Sequence, residues 1–195
     1  MDSLLTIDQV LQRCQDEIPG FSAIDDAKLG SAWAWEALRR VKSSNLGRER
    51  TITVEIQDGE GSLPNDFLWL NASTARHKAI TIWRPGWESL SYDVDGPLGI
   101  SYQAIKVDAN GFPMVPELLD EAVRAWIYYK YIELLQRKRW IKDASVRIDQ
   151  GMNKENETKA LGLIDEARGH LNRRTASDME LQKLQRESRT YRNRR

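Results

Sequence analysis

The spacing of apolar residues predicts two helices at the start of the chain. Thr6 and Gln9 fit a capping box just before the first apolar repeat, and Ser22 or Asp25 can cap the second helix. The apolar face of the second helix, with three- and four-residue spacing, comprises Leu29, Ala32, Trp33, Ala37, Leu38 and Val41. Residues 1–48 are therefore expected to form an N-terminal helical hairpin.

Over residues 49–114 the pattern changes to alternation with a period of two, which is typical of strands. Several short strands, separated by turns rich in Gly, Pro and Asn, are expected in this stretch. The candidate strands are residues 51–56, 67–70, 79–83, 90–94 and 100–107. Because helical patterns lie on both sides, the stretch is predicted to be a small antiparallel sandwich or barrel inserted between helices.

Helical spacing resumes after the turn dipeptide Asn110-Gly111. Pro116 can occupy the first helical position, and Glu117, Asp120 and Glu121 place negative charge at the positive end of the helix dipole. Apolar side chains go nearly all the way round this helix, so we expect other protein to cover more than one of its faces. They are Leu118, Leu119, Ala122, Val123, Ala125, Trp126, Ile127, Tyr128, Tyr129, Tyr131, Ile132, Leu134 and Leu135.

A narrow apolar stripe predicts one more amphipathic helix, and residues 149–158 before it are expected to form a solvated loop. The stripe comprises Ala160, Leu163, Ile164, Ala167 and Leu171. In this interpretation residues 115–172 supply C-terminal helices that complete the bundle. The predicted fold class is α+β: a helical bundle with an inserted small antiparallel β-sandwich or barrel and an extended C-terminal tail.

The tail, residues 173–195, is strongly basic and carries few apolar residues that could anchor it. It contains eight Lys or Arg against three acids. Three interpretations stay open: a solvated tail that aids solubility, an arm that docks on another protein, and a salt-sensitive contact to nucleic-acid phosphates.

Charge and cysteine content limit the other classes of function. Lys+Arg and Asp+Glu both number 29, so no overall charge draws the molecule to nucleic acid or an anionic membrane. Neither a secretory leader nor a membrane-spanning stretch is evident, and no membrane partner is expected. Cys14 is interpreted as buried packing, and His77 and His170 lack partners at metal-ligand spacing. We expect no catalytic site, no metal and no cofactor.

Two tryptophans on the second helix leave two possibilities. Trp33 and Trp35 lie about 200° apart around a helix, so one can point inward while the other is available to a second surface. Alternatively, both are half-buried in one core.

Two motifs carry a resemblance to a known family. Leu63-Pro64-Asn65-Asp66-Phe67-Leu68 lies within the strand-rich stretch, and Asp108-Ala109-Asn110-Gly111-Phe112-Pro113-Met114-Val115-Pro116-Glu117 leads into the aromatic helix. Over about residues 1–140, this order resembles the head-to-tail adaptor proteins of short-tailed bacteriophages. The likeness is to the tail-tubular and ring-protein type, including the ring proteins of crAss-like phages.

The resemblance implies a structural virion protein with homo-oligomeric, usually dodecameric, rings beneath the portal protein. Such a ring extends the DNA channel without sequence-specific DNA binding, and it anchors other tail or ring proteins at the head-tail junction. Assembly would take place in the host cytoplasm. Members of the family commonly grip the portal with a C-terminal segment, which would give the basic tail a role.

Candidate partner-binding residues follow from this resemblance together with the enrichment of aromatic and Arg anchors at interfaces. They are Trp35, Trp126, Tyr129, Arg173, Arg174, Lys183, Arg186, Arg189, Tyr191 and Arg192. One alternative is a nucleic-acid-associated phage packaging or regulatory protein that uses the basic C-terminus. A second is an enzyme whose site is assembled from residues scattered through the strand-rich stretch.

Overall fold

A computed structural model of the protein describes residues 3–71, 80–84, 87–142 and 153–173. The fold is mixed helix and antiparallel sheet, in agreement with the predicted α+β class. The helices are α1 (Ile7–Glu17), α2 (Ala27–Val41), a 3-10 turn (Glu117–Leu119), α3 (Asp120–Lys142) and α4 (153–173). The strands are β1 (Leu4–Leu5), β2 (Arg48–Ile56), β3 (Glu60–Ser62), β4 (Phe67–Leu70), β5 (Ile80–Arg84), β6 (Trp87–Ser91), β7 (Gly96–Ala104) and β8 (Val115–Pro116).

Helix α1 begins as its sequence predicts. The Thr6 hydroxyl accepts the Gln9 backbone N–H at 3.3 Å, and the Gln9 side-chain oxygen accepts the Thr6 N–H at 2.9 Å. This reciprocal pair is a capping box, which satisfies two backbone donors at the exposed helix start. The prediction for α1 is therefore confirmed at the level of individual atoms.

Helix α2 differs from the prediction in its start and in its buried face. It begins at Ala27 after Asp26, which makes no side-chain cap, while Ser22 caps the turn before it. The predicted inner residue Leu29 is 42% exposed. The reason is Gly30: a Cβ there would lie 2.4 Å from a Leu11 methyl carbon, so α2 approaches α1 through the glycine. The buried positions are Gly30, Ser31, Ala34, Ala37, Leu38 and Val41.

The long helix α3 is covered largely by the protein's own chain. Pro116 precedes a 3-10 turn instead of opening the α-helix, which starts at Asp120. Helices α1, α2 and α4 share one hydrophobic core with α3. The predicted loop over 149–158 is wrong for residues 153–158, which form the first turns of α4, while 149–152 lie outside the described residues. Lys and Glu at residues 154–159 favour helix, and no Gly or Pro interrupts them.

The strand-rich insert contains two three-stranded antiparallel sheets, ordered β2-β7-β4 and β3-β6-β5. Asp58 and Gly59, with φ of 53° and 77°, form the two-residue turn between β2 and β3. The predicted strands 90–94 and 100–107 are displaced toward the N-terminus, at β6 and β7. A third, two-stranded sheet pairs Leu4 with Pro116 and Leu5 with Val115, and so ties the N-terminus to the entry of α3.

Two hydrophobic cores, a helical core among the helices and an insert core within the strand-rich insert, meet at the sheet β2-β7-β4. In β4, Phe67 belongs to the insert core, whereas Leu68 on the opposite face belongs to the helical core. The same alternation places Tyr102 in the insert core and Ile105, just after β7, in the helical core. The sheet therefore joins the insert to the helices through side chains on both of its faces.

Candidate interaction surface

The aromatic candidates lie where α2 packs against α3. Trp126 of α3 is only 1% exposed, and the Arg40 guanidinium of α2 stacks over its ring at 4.2 Å from the centroid. Lys130 lies 5.7 Å from the same ring and 5.8 Å from that of Tyr129. Cations over aromatic faces are attracted by the ring quadrupole. Trp126 is thus a core residue whose surface-facing side is covered by two cations.

The second part of this surface is formed by the tryptophans of α2. Trp33 and Trp35 are both half-buried against the helical core, so the interpretation that both are half-buried in one core is confirmed. The guanidinium of Arg39 lies 4.9 Å from the centre of the Trp35 ring. We define the cation-aromatic face as Trp35, Arg39, Arg40, Trp126, Tyr129 and Lys130.

Acidic side chains bridge the two helices beside this face. Glu36 accepts from Arg40 at 3.3 Å and from Lys130 at 3.5 Å, and Lys130 also lies 3.4 Å from Glu133. Burial raises the pKa of Tyr129, with the nearby carboxylates Glu133, Glu157 and Glu36 acting in the same direction. The carboxylates therefore balance the positive charges of Arg40 and Lys130. The aromatic rings of the face pack beneath these charged groups.

Of the tail candidates, only Arg173 lies within the described residues. Arg173 is exposed at the end of α4, and its Nε donates to the Gly169 carbonyl at 3.3 Å. The other predicted tail residues lie outside the described residues. They are Arg174, Lys183, Arg186, Arg189, Tyr191 and Arg192.

The carboxylate of Asp120 is buried where α1 contacts α3. Its sequence position does not predict this burial, because acidic residues are common at helix starts. Asp120 is 4% exposed and accepts from Arg13 Nη1 at 2.6 Å and from Arg124 Nε at 3.2 Å. Arg124 in turn pairs with Glu17. Opposite charges 107 residues apart in sequence therefore hold α1 to α3, a pairing without a local sequence signal.

The two sequence motifs meet in space. A Cβ at Gly111 would lie 3.2 Å from Asn65 Nδ2, so the turn of the second motif packs on the first. The Ile105 N–H, just before the second motif, donates to the Asp66 carbonyl at 2.9 Å. Asp66, 8% exposed, accepts from the Tyr102 hydroxyl at 3.0 Å and from Arg50 at 2.5 Å. This carboxylate anchors β2, β7 and the start of β4 together.

Features of catalytic chemistry are sparse in the described ranges. No cluster of three or more His, Cys, Asp or Glu suited to a metal occurs there. His170 is exposed with Glu166 at 3.6 Å, whereas His77 lies outside the described residues. Cys14 is fully buried, as predicted, and burial raises its pKa to about 12. None of the described helices has the length and apolar content needed to cross a bilayer.

Comparison with known proteins adds no family. No family model matches the sequence, and no curated protein matches it.

Proposed function

We propose that this protein is a structural virion component, an adaptor that forms a ring between the portal and the tail of a short-tailed bacteriophage. The ring is dodecameric in this proposal, extends the DNA channel without reading its sequence, and lies at the head-tail junction after assembly in the host cytoplasm. The helices form a bundle that carries the insert as a small sandwich, with the basic tail extending to the portal.

The observation that supports this proposal most directly is the contact between the two motifs that carry the resemblance. Asn65 of the first motif packs against Gly111 of the second. The second motif then runs through β8, where Val115 pairs with Leu5, into the start of α3. Because the two motifs pack against each other, their presence in one chain has a structural reason. This contact favours a resemblance in fold over a chance match of sequence.

The cation-aromatic face supports an interaction role in the same proposal. Trp35 and Tyr129 are half-buried, and interfaces are enriched in Trp, Tyr and Arg. A subunit in a ring needs two different lateral surfaces, because a head-to-tail contact closes only when each copy presents both halves. We assign this face to one of those contacts, with Trp126 as the buried residue on which the contacting side chains pack.

Quantitative mass spectrometry of purified phage particles tests the proposal. Copies of this polypeptide comparable in number to the portal protein are the expected result. Absence from mature particles would overturn the adaptor role.

The second candidate, a nucleic-acid-associated packaging or regulatory protein, rests on the eight basic residues of the tail. It predicts DNA affinity that falls steeply with salt and disappears when residues 173–195 are deleted. The adaptor proposal predicts no such salt-dependent affinity for the free protein.

A further inference from the structure

Helix α4 is held to the helical core unequally along its length. Its C-terminal half, residues 164–173, contributes three buried apolar side chains, Ile164, Ala167 and Leu171. Its N-terminal half, residues 153–161, contributes one, Ala160. Gly162 lies between the halves, and a Cβ there would have no neighbour within 4 Å. Because Gly disfavours a helix interior, α4 is most easily interrupted at this boundary.

Hydrogen bonds fix the C-terminal half of α4 to the end of α2. The Arg168 guanidinium donates to the Val41 carbonyl at 2.5 Å and to the Arg40 carbonyl at 2.6 Å. The last carbonyls of a helix have no partner within that helix and attract positive charge, so Arg168 caps α2. The Leu171 carbonyl also accepts from the Asn45 side-chain amide at 3.3 Å. Release of this half must therefore break several polar contacts.

The N-terminal half of α4 has no such tie within the described ranges. There, the hydrogen bond of the Thr158 hydroxyl runs to the Lys154 carbonyl of the same helix, and no side chain of residues 153–161 bonds or ion-pairs with another element. The amide atoms Asn153 Oδ1 and Asn156 Nδ2 are buried without a hydrogen-bond partner in the described part of the chain. Buried polar atoms without partners cost free energy, which weakens the packing of this half.

A groove of about 370 Å³ lies between this half of α4 and the helix α3. Asn156 and Lys159 line it on the α4 side, and Ala125 and Tyr128 line it on the α3 side. The close packing that is usual inside proteins is therefore incomplete along the N-terminal half of α4.

We propose that residues 153–161 form a lid on α3, which opens at Gly162 while the C-terminal half of α4 stays fixed to α2. Opening separates Ala160 from the core and widens the groove over Ala125 and Tyr128. The rest of the helical core stays folded, because the Arg168 cap is kept. This inference does not rest on the ring proposal, since it concerns a single free subunit.

Native-state hydrogen exchange of the wild-type protein tests the lid. The amides of residues 157–161 should be at least tenfold less protected than those of residues 165–172. The reason is that opening of the second set must also break the charged hydrogen bonds of Arg168. Residues 153–156 are left out of the comparison, because the first amides of a helix lack intrahelical acceptors. Equal protection of the two sets would overturn the lid.

Two matched glycine variants test the place of the hinge. Gly162→Ala should raise the protection of residues 157–161 about fivefold, the effect that helix propensity gives for this substitution. Gly169→Ala makes the same change in the C-terminal half and should leave the protection of residues 157–161 unchanged. An equal effect of the two variants on these amides would overturn the hinge, because α4 would then open as one unit.

An Arg168 variant tests the anchor. Arg168→Gln should lower the protection of residues 165–172 about tenfold, towards that of residues 157–161, because the charged cap of α2 is lost. Unchanged protection of residues 165–172 would overturn the role of the cap in confining the opening to the lid.

Thiol labelling gives a second readout. Ala160→Cys and Ala167→Cys each place a small thiol in the buried stripe, one in each half of α4. After division by the rate of the same variant in urea, Ala160→Cys should be labelled at least tenfold faster than Ala167→Cys and than the fully buried Cys14. Equal rates would overturn the lid. None of these results bears on the count of copies in phage particles, so the two proposals fail separately.

Discussion

The helical body, which comprises α1 to α4, and the strand-rich insert, which comprises β2 to β7, differ in the number of apolar residues in their described cores. Among the residues whose burial the structure describes, the helical core contains 25 buried apolar residues drawn from α1 to α4 and the strand ends, and the insert core contains eight. Small cores bury a smaller fraction of their surface and leave less net stability. Both regions nevertheless share the sheet β2-β7-β4, so the insert depends on side chains such as Leu68 that belong to the larger core.

Truncation of one large buried side chain in each core gives the largest expected effect. Trp126→Ala should lower the free energy of unfolding by about 3–5 kcal/mol, as for other buried aromatic residues. It should shift the entire urea transition, since α1, α2 and α4 share its core. Phe67→Ala should cost a similar amount but produce a separate early transition, because the described insert core has only seven other buried residues to compensate.

Urea unfolding followed both by far-UV circular dichroism and by hydrogen exchange of individual strands distinguishes these outcomes. A single coincident transition in the Phe67→Ala variant would show that the shared sheet makes the two regions one cooperative unit. Leu163→Ala, at a half-buried position of α4, is the control and should have the smaller effect.

The parts of this fold that the sequence predicts are those set by neighbouring residues. The Thr6/Gln9 capping box and the Asn110-Gly111 turn each need only a few residues, and both occur in the structure. The face of α2 was mispredicted because Leu29 is apolar, yet the close approach at Gly30 decides the rotation of the helix. Only the position of Leu11 on another helix reveals that contact.

The interaction surface likewise combines features that the sequence predicts with contacts that it does not predict. Its aromatic residues stand out in the sequence, but the stacking of Arg40 on Trp126 joins positions 86 apart and has no periodic signal. Strand order is similarly non-local, because β2 pairs with β7 across four intervening strands. Alternation identifies strands and gives no information about which strands pair.

Removal of one buried charge in each region compares their polar anchors. Asp120→Asn should cost about 2–3 kcal/mol, below the ~3–5 for a fully buried pair because Arg13 is partly exposed. Asp66→Asn should cost about 1–2 kcal/mol, since it weakens one charged contact to the exposed side of Arg50 and keeps the Tyr102 hydrogen bond. Chemical denaturation measures both.

Glu166→Gln serves as the surface control and should change stability by less than about 0.5 kcal/mol. A larger cost for Asp66→Asn than for Asp120→Asn would reverse the expected ranking. The contacts of Asp66 would then contribute more to the stability of the insert than those of Asp120 contribute to the helical body.

The Cys14 thiol gives the helical body a pH dependence. Burial raises the pKa of Cys14 from its ordinary value of 9.0 to about 12. Between these values the unfolded chain loses the proton and the folded chain keeps it, so stability falls as pH rises, by at most ~1.4 kcal/mol per pH unit. Below pH 9 the full stability is present.

Urea denaturation of wild type and Cys14→Ala from pH 8 to 11 checks this slope. The difference between the two proteins isolates the thiol, because Tyr102 and Tyr131, whose pKa values burial also raises, titrate in both. An identical slope in the two proteins would contradict the prediction. Thiol reagents should label Cys14 only at the rate at which the helical core opens.

Two Gly→Ala substitutions should have opposite and small effects in the two regions. Gly111 has a φ of +82° and faces Asn65, so Gly111→Ala should lower stability by about 1–2 kcal/mol through backbone strain. Gly162, on an open face of α4, has no neighbour within 4 Å, so Gly162→Ala should raise stability by ~0.5–1 kcal/mol through helix propensity.

Thermal melts of the two single variants and of the double variant measure these changes. Because the sites lie in different regions without a shared partner, the double variant should show the sum of the two effects. Departure from additivity would mean that strain at the motif junction reaches α4 through the shared sheet. The insert and the helical body would then have to be treated as one mechanical unit.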